Sequence, residues 1–317
     1  VFGQYSPENP APAKEWTFML YIDGDNNLES YALEDFLEMA AIGSNSSFNI
    51  VVMLDRTSSY SSLYDDWTNT RRGLISYMDL PDLTWGESLG ESNMGDPASL
   101  KDFVTWASQS YPSNRNMLIL WNHGAGWSDT YGSLASLEYL SQSGTLPPAK
   151  TSSVEKAICT DDTNGDELTL AEISSVLSEL ATEEAIQIDI LGMDACLMAM
   201  AEVLAEVEGQ IDYLIASAAE EPADGWPYDL IFQDLATNPF MSNSELCGTV
   251  VNRYYQYYQN DITLAAFDMG HVGQLLSNMA IFSDTLLTYQ IQSPQTCISV
   301  ADNLRSAIIN SIIAEAH

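Results

Sequence analysis

Residues Ile188–Ala199 read IDILGMDACLMA, and the fold assignment starts from them. Ile188-Asp189-Ile190-Leu191 is an apolar run of strand type. Gly192, Asp194 and Ala195 are small or polar, and Cys196 presents one thiol. A helical spacing follows, with Met200, Val203, Leu204 and Val207 on one face. The stretch therefore reads as a strand ending at a cysteine that opens a helix. Free N–H groups in a first helical turn favour a thiolate, so this reading predicts a lowered Cys196 pKa. In an open α/β sheet the carboxyl ends of the strands are also where ligands bind.

The same kind of run recurs upstream at Trp16–Asp23 (WTFMLYID), Asn49–Asp55 (NIVVMLD) and Asn116–Trp121 (NMLILW). Tyr213–Ala219 and Thr263–Asp268 follow downstream. Continuous apolar runs are what strands buried on both faces require. Helical patterns alternate with them. Tyr31–Ile42 stops at Gly43, and Asp96 with Pro97 starts a helix through Ser110. Thr169 and Glu172 form a capping box. Helices over Ser244–Gln259, Val272–Gln290 and Gln295–Ala314 complete the chain. Arg71–Leu80 and Leu83–Leu89 read as a short antiparallel excursion. The fold class is α/β, a mainly parallel sheet of about six strands with helices on both faces.

The 317 residues suit one large domain with appendages. Residues 1–15 are Pro-rich and polar, a flexible leader that suits a mature secreted or cell-envelope chain. Residues 16–270 form the main domain. Within it, 128–157 lacks periodicity, and connections that long are usually functional or mobile. Residues 271–317 read as a helical region packed on the core, and their uncapped helical pattern leaves room for the chain to continue.

Ten basic residues against 45 acidic ones give a formal net charge of −35. Nucleic acids and anionic membranes need Lys/Arg patches, so both are poor partners. Cationic substrates would be attracted, although solubility or salt adaptation accounts equally for such a charge. No apolar run approaches the roughly 20 residues needed to cross a bilayer. Cys159, Cys196, Cys247 and Cys297 show no CxxC spacing, which disfavours zinc and redox pairs.

His123 ends one strand and Cys196 ends another. In neighbouring parallel strands both side chains emerge at one edge, a nucleophile beside a base. The backbone N–H groups of Gly124 and Cys196 would form an oxyanion hole for a tetrahedral intermediate. That constellation is an acyl-transfer site and needs no cofactor for its chemistry.

LILWNHG at Leu118–Gly124 and IDILGMDAC at Ile188–Cys196 resemble the paired His-Gly and Ala-Cys strand ends of clan CD cysteine peptidases. YIDGDNNLESYALEDFLEMAAIGS, NIVVMLDR, NHGAGW, DDTNGDELTLAEI and GMDACLMA, in that order, resemble the blocks of the clostripain family. The resemblance covers roughly Trp16 to Asp234. It implies a caspase-like three-layer αβα sandwich and endopeptidase activity, with His123 and Cys196 as the catalytic pair. It also places Asp194, two residues before the nucleophile, in the pocket for the residue preceding the cut. A carboxylate there selects Arg or Lys by charge-assisted pairing. Asp224, in EEPADGWPYD, is a second candidate pocket carboxylate, with Trp226 and Tyr228 as candidate walls.

Clostripain-like enzymes are zymogens cut after a basic residue between His and Cys, which makes Lys150 and Lys156 the autocleavage candidates. Some members depend on calcium. The acidic segment Thr160–Glu172 offers Asp161, Asp162 and Asp166, but Thr160 and Ala171 stand where an EF-hand needs Asp and Glu. The expected partners are peptide or protein substrates with Arg/Lys at the cut, taken by a monomer. The competing reading is an inert caspase-like or receiver-like binding module, with Asp23, Asp25 and Asp55 holding a cation.

Overall fold

A computed structural model describes residues 13–58, 60–126, 157–259 and 262–292. The chain divides into two compact units, Val1–Met269 and Gly270–His317. The expected helix over Gln295–Ala314, Cys297 and both autocleavage candidates lie outside the described residues.

The first unit is built on an eight-stranded sheet. Its parallel centre is β1 (Lys14–Gly24), β2 (Phe48–Arg56), β5 (Ser113–Trp121), β8 (Ile190–Asp194) and β9 (Tyr213–Ala216). Antiparallel strands flank it. These are β3 (Thr70–Leu74) and β4 (Glu87–Gly90) beyond β2, and β10 (Ala265–Asp268) beyond β9. The sheet has eight strands rather than about six because the antiparallel excursion hydrogen-bonds onto β2 and extends it. β6 (Ala157–Asp161) and β7 (Asp166–Thr169) form a separate hairpin that the polar sequence around its turn concealed.

Among the described residues of this unit six α-helices form two layers. Helix α1 (Glu29–Ile42) packs with α5 (Tyr228–Thr237), and α5 with α6 (Asn243–Tyr258). Helix α2 (Pro97–Ser110) packs with α3 (Leu170–Glu183), and α3 with α4 (Ala201–Glu206). The caps expected from sequence form. Asp96 accepts from the Ala98 N–H, and Thr169 and Glu172 cap each other reciprocally. Helix α5 had no place in the sequence reading. The described part of the second unit is helix α7 (Val272–Gln292).

Strand alternation gives each layer its own core. Trp16, Phe18, Phe48, Ile119 and Ile190 join Phe36, Phe232 and Leu246 in one buried cluster. Phe18 and Phe232 meet edge to face with centroids 5.0 Å apart. Burying each such ring contributes about 1.5–3 kcal/mol relative to leaving it in water. The register matters most at the carboxyl edge. Asp23 lies opposite Asp55, Ile22 opposite Trp121, and Trp121 opposite Asp194. The loops carrying His123 and Cys196 therefore leave the sheet side by side.

Candidate active site

His123, Gly124, Asp194 and Cys196 line one cavity of about 340 Å³ at this edge. Strand β5 delivers the first two and β8 the others. The two loops touch closely. A side chain at Gly124 would put its Cβ 2.3 Å from the Cys196 carbonyl oxygen, so only glycine fits there. Among the described residues, the N–H groups of Gly124 and Cys196 donate to no acceptor. The hairpin reaches this point by a bridge between Gly124 and Ile158, in which the Ala125 N–H donates to Ala157 at 3.1 Å.

Cys196 does not open a helix. Residues 195–200 are irregular, and α4 begins at Ala201. The Leu197 N–H donates to Ala219 (3.0 Å) and the Ala199 N–H to Ser217 (2.8 Å). These bonds tie the segment to the residues after β9. Leu197 has φ of 64°, a left-handed conformation costly for a branched side chain. With no helical turn at the sulfur, the expected lowering of its pKa is replaced by a rise. Burial is the main cause, and the Glu220 and Asp194 carboxylates add to it. The Glu221 N–H, 3.2 Å from the sulfur, opposes them.

His123 Nε2 lies 2.9 Å from Asn27 Oδ1, and its backbone N–H donates to Asn122 Oδ1. Desolvation lowers its pKa, against a smaller raising effect of Asp162. The imidazole is therefore neutral at neutral pH. Among the described residues it makes no hydrogen bond to Cys196.

Asp194 is buried. Its Oδ2 accepts from the Tyr228 hydroxyl (2.7 Å) and the Trp226 N–H (3.1 Å). Burial raises its pKa to about 6, and hydrogen bonds from Tyr228, Trp226 and Glu221 limit the rise. Trp226 and Tyr228 are core residues that hold this carboxylate rather than pocket walls. Asp224 is exposed and stays outside the cavity lining, because the turn at Gly225 directs it outward.

Two other acids lie near Asp194, Glu221 in the cavity lining and Asp35 buried behind it. Glu221 lines the cavity with both carboxyl oxygens buried. It faces the Asp194 carboxyl. Burial and then the Asp194 charge push Glu221 well above the usual carboxylate range. Asp35 of α1 accepts from Trp121 Nε1 at 2.7 Å. A Cβ on Gly225 would stand 3.0 Å from Oδ2 of both Asp35 and Asp194. Sequence offered no sign of either acid, since an Asp inside a helix normally faces water.

The acidic segment with the calcium candidates forms the β6–β7 hairpin and its turn. Asp162 Oδ2 accepts from Tyr60 (3.4 Å) and Asp166 Oδ2 from Asn93 (2.7 Å). Only Asp161 joins a carboxylate cluster, with Asp25, Asp55 and Glu91. Asp23 is turned aside and accepts from Asn122 at 2.6 Å.

Fold and site together define a caspase-like αβα protein with a thiol and an imidazole at the carboxyl edge of its parallel sheet. The sequence model of the clostripain family matches residues 20–312, and the chain belongs to that family. Clostripain of Hathewaya histolytica is 29% identical over 265 residues, covering 76% of this chain and 46% of clostripain. The chain thus spans about half the length of that relative. A secreted C11 cysteine protease from Bacteroides thetaiotaomicron, solved with an irreversible peptide inhibitor, has a TM-score of 0.57 at 22% identity. That match covers 83% of this chain and 68% of the protease. An inactive zymogen C11 protease from Parabacteroides distasonis gives 0.56 at 22%, covering 85% and 66%. At these identities the likeness speaks for the fold.

Proposed function

We propose that the protein is a cysteine endopeptidase cleaving after Arg or Lys. The observation that carries this reading is the single cavity lined by Cys196, His123, Gly124 and Asp194. Family membership supports it.

In this mechanism the thiol reacts from its protonated state. A scissile carbonyl entering the cavity draws His123 from Asn27. The neutral imidazole takes the Cys196 proton as sulfur bonds to the carbonyl carbon. The oxyanion is received by the N–H groups of Gly124 and Cys196. The imidazolium then protonates the leaving amine as the C–N bond breaks. Water hydrolyses the thioester, releasing a carboxylic acid product and restoring the thiol.

The basic side chain of the substrate goes to Asp194, and Glu221 supplies a second carboxyl group there. A fluorogenic peptide panel varied at the residue before the cut tests this on wild type, Cys196→Ala and Asp194→Asn. Wild type should prefer Arg or Lys and Cys196→Ala should be inactive. Asp194→Asn should lose about 10²–10³-fold in kcat/KM on Arg peptides, the cost of stripping one partner from a buried ion pair. Preference for Asp or Asn before the cut refutes the pocket assignment. Self-processing at Lys150 or Lys156, action as a monomer and a secreted or envelope location belong to the same proposal. Two bands from wild type and one from Cys196→Ala on a denaturing gel are expected for self-processing.

A further inference from the structure

Asn26 and Asn122 bind the same two carbonyl groups. Asn26 is in the turn between β1 and α1, and Asn122 follows β5. The Asn26 side-chain amide donates to the carbonyls of Asp23 and Thr160, both at 3.1 Å. The Asn122 amide donates to the same pair, at 3.0 and 3.2 Å. Both asparagines are buried. Buried amides whose hydrogens are all placed hold their backbone to one geometry.

The next residue in each loop is exposed, and these two residues meet. Asn27 follows Asn26, His123 follows Asn122, and His123 Nε2 lies 2.9 Å from Asn27 Oδ1. The two side chains therefore reach each other from one shared anchor. The His123 loop has a further tie, since its backbone N–H donates to Asn122 Oδ1.

An asparagine just before a helix has an ordinary use, which is to cap it. Helix α1 does not use Asn27 in this way. Its N-cap position is Leu28, with no side-chain cap, and the Leu28 N–H donates to Asn26 Oδ1 at 2.8 Å. Asn27 offers its carbonyl oxygen to the imidazole instead. Such an oxygen only accepts, so Nε2 carries the ring proton and Nδ1 keeps its lone pair.

We propose that Asn27 is a positioning residue for His123, fixing the ring so that Nδ1 is the nitrogen that exchanges a proton with Cys196 and the leaving amine. This rests on the peptidase reading above. The Cys196 proton moves to Nδ1 as sulfur bonds to the carbonyl carbon. It passes from Nδ1 to the leaving amine as the C–N bond breaks. The Nε2 proton stays in place throughout, and the ring returns with it to Asn27 before the next turnover. Without Asn27 the ring would rest in several orientations and in both tautomers, and only part of the molecules would stand ready to react. The charged and titratable groups around the ring are Asp162 of the hairpin turn and, in the shared cavity, Asp194, Glu220, Glu221 and the Cys196 thiol.

Two measurements on the whole chain test this. In Cys196→Ala with isotope-labelled histidine, long-range proton–nitrogen NMR correlations at about pH 8 show which nitrogen of the neutral His123 ring bears the proton. Nε2–H is expected, and adding Asn27→Ala should let the Nδ1–H form appear. In the active enzyme, Asn27→Ala should lower kcat about tenfold or more with KM changed less than about twofold, because a misplaced ring costs rate rather than binding. Asn27→Asp keeps an acceptor and should recover most of that rate. Its charge also favours the imidazolium, so the acid limb of kcat/KM should move to higher pH by about one unit. An Nδ1–H ring in Cys196→Ala, a ring unchanged by Asn27→Ala, or a wild-type kcat in Asn27→Ala overturns the proposal. Should the wild type cleave no basic peptide, the peptidase reading fails, and the NMR measurement still decides whether Asn27 sets the ring.

Discussion

Burial, with the carboxylates of Glu220 and Asp194, holds the Cys196 thiol above its ordinary pKa, so the resting site keeps its proton. Iodoacetamide consumes thiolate, so labelling at Cys196 should keep accelerating above pH 9. Cys159 and Cys247 are buried and should label far more slowly. A labelling rate that levels off below pH 8 would mean a preformed thiolate and would contradict this account. The residue identities at this site could be read from the chain, because a lone Cys and a lone His at strand ends are rare enough to notice. The sign of the thiol shift could not. It is set first by burial, and then by the Glu221 N–H and the Glu220 charge, which lie more than twenty positions downstream and reach the sulfur through the loop after β9.

Among the elements, the junction of α1 with β2 rests on one ion pair. Arg56 Nε donates to Glu29 Oε1 at 2.7 Å, and both side chains are fully buried. The same guanidinium donates to the carbonyls of Ser61 and Leu63. Arg56→Met would strand Glu29 and those carbonyls and should cost about 3–5 kcal/mol. Chemical denaturation measures it, and a loss under 1 kcal/mol would show that the junction tolerates an apolar replacement. Strands β1, β2, β5 and β8 were legible because double-sided burial writes a continuous apolar run. The helix after Cys196 was misread for a related reason. Val203 and Leu204 are indeed buried on one face, but over a single short helix. The residues before it are tied to Ala219 and Ser217, partners that a local pattern does not register. The β6–β7 hairpin escaped notice because an acidic turn looks the same whether it binds a cation or joins two strands.

For the molecule as a whole, Asp35, Glu38, Asp194 and Glu221 form an acidic group at and behind the cavity wall whose pKa values are all raised, chiefly by burial. The folded protein therefore binds more protons than the unfolded chain between the unfolded carboxylate range near pH 4 and the raised values. Their contribution to stability is full below about pH 4 and is lost as pH rises through about 6 for Asp194 and about 7 for Glu38. In EDTA, Tm should fall steadily from pH 5 to pH 8. A Tm that climbs over this range would show that these acids are ionised and paired in the folded state. The net charge of −35 acts in the same direction, since self-repulsion grows as carboxyl groups ionise.

The sequence alone determined the alternation of strands and helices, the parallel centre of the sheet, the caps of α2 and α3, and His123 and Cys196 as the residues to watch. Each of these is written locally, in the period of apolar residues or in a few adjacent side chains. Tertiary structure alone decided which acids matter. Asp35 and Glu221 reach Asp194, and Asp25, Asp55, Glu91 and Asp161 reach one another, while Asp224, Asp162 and Asp166 remain outside these groups. In a chain with 45 acidic residues, a carboxylate carries no mark of its surroundings. Burial and approach set its charge, and both are properties of segments brought together from far apart in the chain.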